Sequence, residues 1–90
     1  MQILFRMTIA SSVSRERASG VDIKKLVDWP PDLRMPVKDD VVDLDGTRAV
    51  EEVHFVPLGL GPYVTVWLEN FIDPDPDECA EIDFPTWTRS

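Results

Sequence analysis

An Asp-Gly pair, Asp45-Gly46, sits inside the apolar-rich stretch Val41–Phe71. Asp-Gly favours the tight hairpin turn in which both central residues take positive φ, so it commits the flanking residues to two antiparallel strands. A two-residue loop pairs Leu44 with Thr47, Asp43 with Arg48 and Val41 with Val50. Arg48 opposite Asp43 would be a favourable cross-strand charge pair. After Val50 the alternation slips, because Glu51-Glu52 precedes Val53, His54, Phe55 and Val56. Burying both Val50 and Val53 takes one extra residue, which predicts a β-bulge at Glu51-Glu52. A second hairpin is expected through Pro57-Leu58-Gly59-Leu60-Gly61-Pro62, with Val56 facing Tyr63. Its register places Phe55 opposite Val64 and Val53 opposite Val66 on the core side. His54 then faces Thr65, and Glu52 faces Trp67, on the other side.

The remaining segments read less uniformly. Met1 to Ile9 alternates, with Ile3, Phe5, Met7 and Ile9 on one face and Gln2, Arg6 and Thr8 on the other, which is a strand. Ser11–Gly20 is small and polar and reads as a loop. Val21–Trp29 fits two patterns. As a strand, Val21, Ile23, Val27 and Trp29 share a face that Lys25 interrupts. As a helix, Ile23, Leu26 and Val27 share a face and Ser19 is the cap. The β-branched content favours the strand. Pro30-Pro31 ends any regular element, and Pro30–Pro36 is expected to be an extended connection. In Asp73-Pro74-Asp75-Pro76-Asp77 the prolines lack ladder donors, which rules out a central strand there.

The stretch Asp39-Asp40-Val41-Val42-Asp43-Leu44-Asp45-Gly46, followed by Arg48-Ala49-Val50-Glu51-Glu52-Val53, resembles the strand pattern of small SH3-like β-barrels. Those show a Gly-Asp-x-Val start, a short turn and alternating valines; here Asp39 stands in the glycine's place. The resemblance spans roughly residues 36–68 and concerns fold alone. It implies a mainly β fold, either a small barrel or a strongly bent antiparallel sheet of about five strands. It also implies a binding module, by analogy. The expected organisation is a domain over residues 1–72 and an acidic, proline-containing tail over residues 73–90.

Ninety residues with 43% hydrophobic content suffice for one modest core and are too apolar for a disordered chain. The net charge of −8 is unevenly spread: residues 1–38 carry +3 and residues 39–90 carry −11. That balance disfavours direct binding to nucleic acid or an anionic membrane, because phosphate neutralisation needs clustered Lys and Arg. Arg15, Arg17, Lys24 and Lys25 are expected to answer acids of the same fold. The single cysteine, Cys79, gives no internal disulfide and fits a reducing, cytoplasmic setting. Met1–Ala10 has the wrong layout for a signal peptide, and no run has the length of a membrane span.

Catalytic groups are sparse. His54 is the single histidine, read as a half-exposed strand residue, so neither a histidine-pair site nor a multi-histidine metal site exists. Cys79 with His54 lacks the spacing of a zinc motif. Acids around Cys79 should raise its pKa and blunt its nucleophilicity. Asp73-x-Asp75-x-Asp77-Glu78 lacks the glycine and distal glutamate of an EF-hand loop. The glycines of Leu58–Pro62 match no phosphate-binding fingerprint. No catalytic residue, metal or cofactor is therefore assigned.

The acidic segment is the main functional lead. Every charged residue from Glu69 to Asp83 is negative: Glu69, Asp73, Asp75, Asp77, Glu78, Glu81 and Asp83. With Phe84, Trp87 and Trp67, and with Ile82 beside them, these form the candidate partner-binding set. Three readings stay open: a solvated tail, a docking motif with apolar anchors, and a nucleic-acid mimic. Trp67 is either an exposed anchor or covered by the returning tail through Phe84 or Trp87. The leading expectation is a non-enzymatic interaction module that binds a basic, nucleic-acid-handling protein, of the kind phages and mobile elements use as inhibitors, anti-CRISPR proteins among them. The alternative is an assembly subunit making homotypic or neighbour contacts through Leu58–Pro62 and its strand edges.

Overall fold

The structure is a computed structural model that describes residues 1–13, 20–55 and 64–89. The strands are β1 (Gln2–Ser11), β2 (Val21–Asp28), β3 (Val41–Asp43), β4 (Thr47–Phe55), β5 (Val64–Leu68), β6 (Phe71–Asp73) and β7 (Thr88–Arg89); a helix, α1 (Pro76–Ile82), precedes β7. The fold is mainly β. Its seven strands form one unclosed sheet in the order β3-β4-β5-β1-β2-β7, and β6 continues along the β5 side of β1. Five strands were expected. The additional ones are β6 and β7, both from the chain beyond Asn70.

β1 is the centre of the sheet. Its inward residues Ile3, Phe5, Met7 and Ile9 are fully buried, as their alternation predicts. It pairs antiparallel with β2 and parallel with both β5 and β6. Residues 21–28 resolve as a strand, with Ile23 buried and Val21, Val27 and Trp29 packed against the core. Lys25 lies in the same alternation, and its Nζ reaches Asp45 (3.4 Å) and Thr86 (2.9 Å). That contact is why a lysine is tolerated on this face.

The β4–β5 ladder follows the sequence closely. Glu52 faces Trp67, Val53 faces Val66, His54 faces Thr65 and Phe55 faces Val64, and the register shifts between Val50 and Glu52. Phe55, however, ends β4 at the surface and is exposed. Val56–Tyr63, including the Leu58–Pro62 turn, and the Arg15–Arg17 stretch lie outside the described residues.

The first hairpin differs by one residue from expectation. Asp43 faces Thr47, Val42 faces Arg48 and Val41 faces Ala49, which leaves Leu44–Gly46 as the connection. Asp45 and Gly46 still take positive φ, 55° and 108°. The shift turns Val42 inward and Val41 outward. It also frees Arg48 from Asp43. The Arg48 guanidinium lies over the rings of Phe71 (4.9 Å) and Phe84 (5.4 Å) and donates to the carbonyls of Thr47 and Asp45. A Cβ on Gly46 would stand 3.0 Å from Arg48 Nη1, so glycine leaves room for the guanidinium. Asp39, in the place of the barrel glycine, takes φ 73°, the left-handed conformation that suits glycine and that Asp tolerates. Pro30–Pro36 is not fully extended, because Leu33 N–H donates to Pro30 C=O and closes a turn.

The largest departure concerns residues 73–89. They were expected as a tail and instead complete the core. Cys79, Ala80, Phe84 and Trp87 are buried in the same cluster as β1, β4 and β5. Phe84 makes edge-on ring contacts with Phe71 (5.4 Å) and Trp87 (5.9 Å). The proline-acid run that rules out a strand is a helix start. Asp75 caps α1 by accepting from Glu78 N–H (3.2 Å), Pro76 occupies the first turn, and Asp77 and Glu78 lie where the helix dipole favours negative charge.

Candidate functional site

The acidic residues from Asp73 to Asp83 lie in and beside α1. Asp75, Asp77, Glu78, Glu81 and Asp83 are exposed, Asp73 is half-buried, and Glu69 is exposed where β5 ends. Asp73, Pro74, Asp75, Glu78, Cys79, Ile82 and Asp83 line a shallow cleft of 320 Å³. Arg89 from β7 partly neutralises this surface, with Nη1 at 2.8 Å from Asp77 and Nη2 at 3.9 Å from Glu81. It supplies the only ion pairs to α1 among the described residues.

The aromatic members of the expected site do not share this surface. Phe84 and Trp87, at 1% and 8% exposure, are interior. They lie in the connection between α1, whose Pro76, Cys79 and Ala80 are buried, and β7, which pairs with β2, so they are structural rather than surface anchors. Trp67 is half-buried, and its cover comes from β1: the Arg6 guanidinium stands 4.6 Å from the ring centroid. Arg6 is the cross-strand partner of Trp67, so the cation is positioned by the ladder itself. The apolar side chain exposed beside the carboxylates is Ile82, at 64% exposure. Ile82 was expected there; Ile72 is also exposed but alternates with the inward Phe71 on β6 and so faces the other way.

Asp45, expected only as a turn residue, also joins distant parts of the chain. Its Oδ2 accepts from Trp87 Nε1 (2.7 Å), Lys25 Nζ (3.4 Å) and Thr86 Oγ1 (3.4 Å). The Trp87 bond, then the nearby Lys25 charge, hold the carboxyl below its usual range against partial desolvation. One carboxylate thus ties the β3–β4 turn to β2 and to the C-terminal segment. The expected answering of acids by the N-terminal half is seen here for Lys25.

Cys79 is on the buried face of α1 with its Sγ 3.4 Å from Asp83 Oδ2, and ligand atoms of Asp73, Cys79 and Asp83 lie within 4.8 Å of one another. His54 is elsewhere, on β4, 3.1 Å from Glu52. Burial, then the Asp83 hydrogen bond and the charges of Asp73 and Asp83, push the thiol up to about 12. The thiol is therefore protonated and a poor nucleophile at neutral pH.

A measurable consequence follows on the alkaline side. The unfolded chain releases this proton near its ordinary pKa of about 8.5, whereas the folded chain keeps it until about pH 12. Folding stability should then fall as pH rises through that window, by about 1.4 kcal/mol per pH unit where the two states differ by a full proton. Urea unfolding at a series of pH values should show this slope in the native protein and a flatter one in Cys79→Ala. Iodoacetamide should label Cys79 at pH 8 only after unfolding.

No helix among the described residues is long and apolar enough to cross a membrane. Family models, curated proteins and solved structures give no match to this chain.

Proposed function

We propose that this protein is a non-enzymatic interaction module whose acidic surface docks on a basic, nucleic-acid-handling protein. The observation that carries this reading is the solvent face of α1, where Asp77, Glu78 and Glu81 surround the exposed Ile82. Carboxylates at that density steer a basic partner toward the surface. Ile82 provides apolar area that carboxylates alone lack. The carboxylates would stand in for nucleic-acid phosphates, and the class-level analogy is to the small acidic inhibitors of phages and mobile elements, including anti-CRISPR proteins. The SH3-like character of residues 36–68 is part of the same proposal and rests on the strand pattern alone.

Affinity purification from host extract identifies the partner, and a salt titration with the purified pair tests the mechanism. The variant combining Asp75→Asn, Asp77→Asn, Glu78→Gln and Glu81→Gln keeps a capping residue at position 75. It should weaken binding by at least about tenfold and flatten the salt dependence. Binding that is insensitive to salt, or that survives the fourfold neutralisation, refutes this reading.

A further inference from the structure

A second surface, sharing no residue with the acidic cleft, lies where the sheet fails to close. Among the described residues β3 is the last strand of the sheet and pairs only with β4. Val50 N–H donates to Asp40 C=O, and Leu44 N–H donates to Gly46 C=O. Residues 40 and 44 therefore point their main chain toward β4. Antiparallel alternation then turns the N–H and C=O of Val41 and Asp43 toward the open edge.

A cleft of 390 Å³ runs along that edge, lined on one side by Asp40, Val41, Val42 and Asp43 and on the other by Trp29, Leu33, Arg34 and Pro36. Side chains alternate between the two faces of a strand. The cleft is lined by all three residues of β3, as a groove that follows the main-chain edge would be. The far wall is already built: Trp29 Nε1 donates to Arg34 C=O (3.3 Å), and Asp40 takes Arg34 Nη2 (3.1 Å) and Val37 N–H (3.0 Å). Beyond Leu44, Asp45 pairs with Lys25 of β2 at 3.4 Å. Leu33 and Val41 remain more than half exposed beside the opening.

We propose that this edge and cleft accept an extended segment of a partner protein that alternates apolar and basic residues. Main-chain pairing would be to Val41 and Asp43, and the apolar side chains would enter between Trp29, Leu33 and Val42. Charge selects the occupant. The charged lining residues are Asp40, Asp43 and Arg34; Arg34 is already paired with Asp40, which leaves the exposed Asp43 carboxylate to face an occupant. A second copy of this chain is disfavoured as the occupant, because its own β3 would bring Asp40 and Asp43 against the same carboxylates.

The test uses the full chain, isotope-labelled and titrated with a capped hexapeptide of alternating valine and lysine. The same peptide with glutamate in place of lysine is the comparison. The expected result is saturable amide shifts and slowed hydrogen exchange at Val41 and Asp43 with the lysine peptide, and at least about fivefold weaker binding of the glutamate peptide. Asp43→Lys, an exposed and structurally mild change, should weaken the lysine peptide about two- to fivefold. Val41→Pro removes one outward donor and should weaken it further with the thermal melt retained. The proposal is overturned if neither peptide binds at millimolar concentration, if both bind equally, if the shifts map to α1, or if the edge proves to be occupied by a second copy.

Discussion

Phe84→Ala is expected to remove about 3–5 kcal/mol of stability, the cost of truncating a fully buried aromatic side chain. That is a large part of what a 90-residue domain has available. The loss combines three contacts that depend on one ring. Phe84 stacks edge-on against Phe71 and Trp87, and the Arg48 guanidinium covers it from the hairpin side. Ile82→Ala, two residues earlier on the exposed face of α1, should change stability by less than about 0.5 kcal/mol. Denaturant unfolding of the two variants separates a C-terminal segment that belongs to the core from one that merely follows it. Near-equal midpoints for the two would contradict the packing described here.

The second large effect is polar. Asp45→Ala leaves the buried indole N–H of Trp87 without its acceptor and deprives Lys25 of its counter-charge, so a loss of about 1.5–3 kcal/mol is expected. Asp45→Asn keeps an acceptor and should recover part of it. The pH dependence has a definite sign. Because the folded carboxyl lies below its ordinary range, its contribution is fully present above the unfolded pKa near 3.9 and is lost as pH falls through the folded value. The acid limb of the stability profile should therefore be shallower in Asp45→Ala. An unchanged limb would mean that Asp45 does not hold the C-terminal segment in solution. Asp40, held low mainly by the Val37 N–H, keeps some acid sensitivity in both proteins.

Much of the fold was legible where local periodicity and core burial coincide. The buried face of β1, the bulge before Val53 and the β4–β5 register from Glu52 to Phe55 follow from alternation, since a slip of one residue would turn Val53 and Val66 outward. The first hairpin escaped by one residue. Asp-Gly fixed the turn, but the Arg48–Asp43 charge pair competed with a more favourable position for Arg48 over two aromatic rings, and no local rule weighs those against each other. The C-terminal helix was hidden for a different reason. Asp75-Pro76-Asp77-Glu78 has a cap, a first-turn proline and early acids, but the same letters read as a charged tail when their partners are sequence-distant. Of the candidate site, the carboxylates lie where their exposure demands. Phe84 and Trp87 do not, because the arginine and aspartate that receive them sit near position 45, far away in the chain.

The pairing of β1 also has a consequence for how the protein is made. Ile3 finds its neighbour at Val64, Ile9 at Phe71, and the Phe84–Trp87 cluster closes over both. Strands so far apart in sequence must meet before most of the apolar surface is covered, which makes folding slow relative to a chain of local hairpins. During synthesis the β1–β2 hairpin emerges early, with the apolar face of Ile3, Phe5, Met7 and Ile9 uncovered. It must wait for the last strands and the helix. Ribosome-bound chains ending before residue 84 are thus the species in which this protein is most exposed to aggregation or to capture by a chaperone.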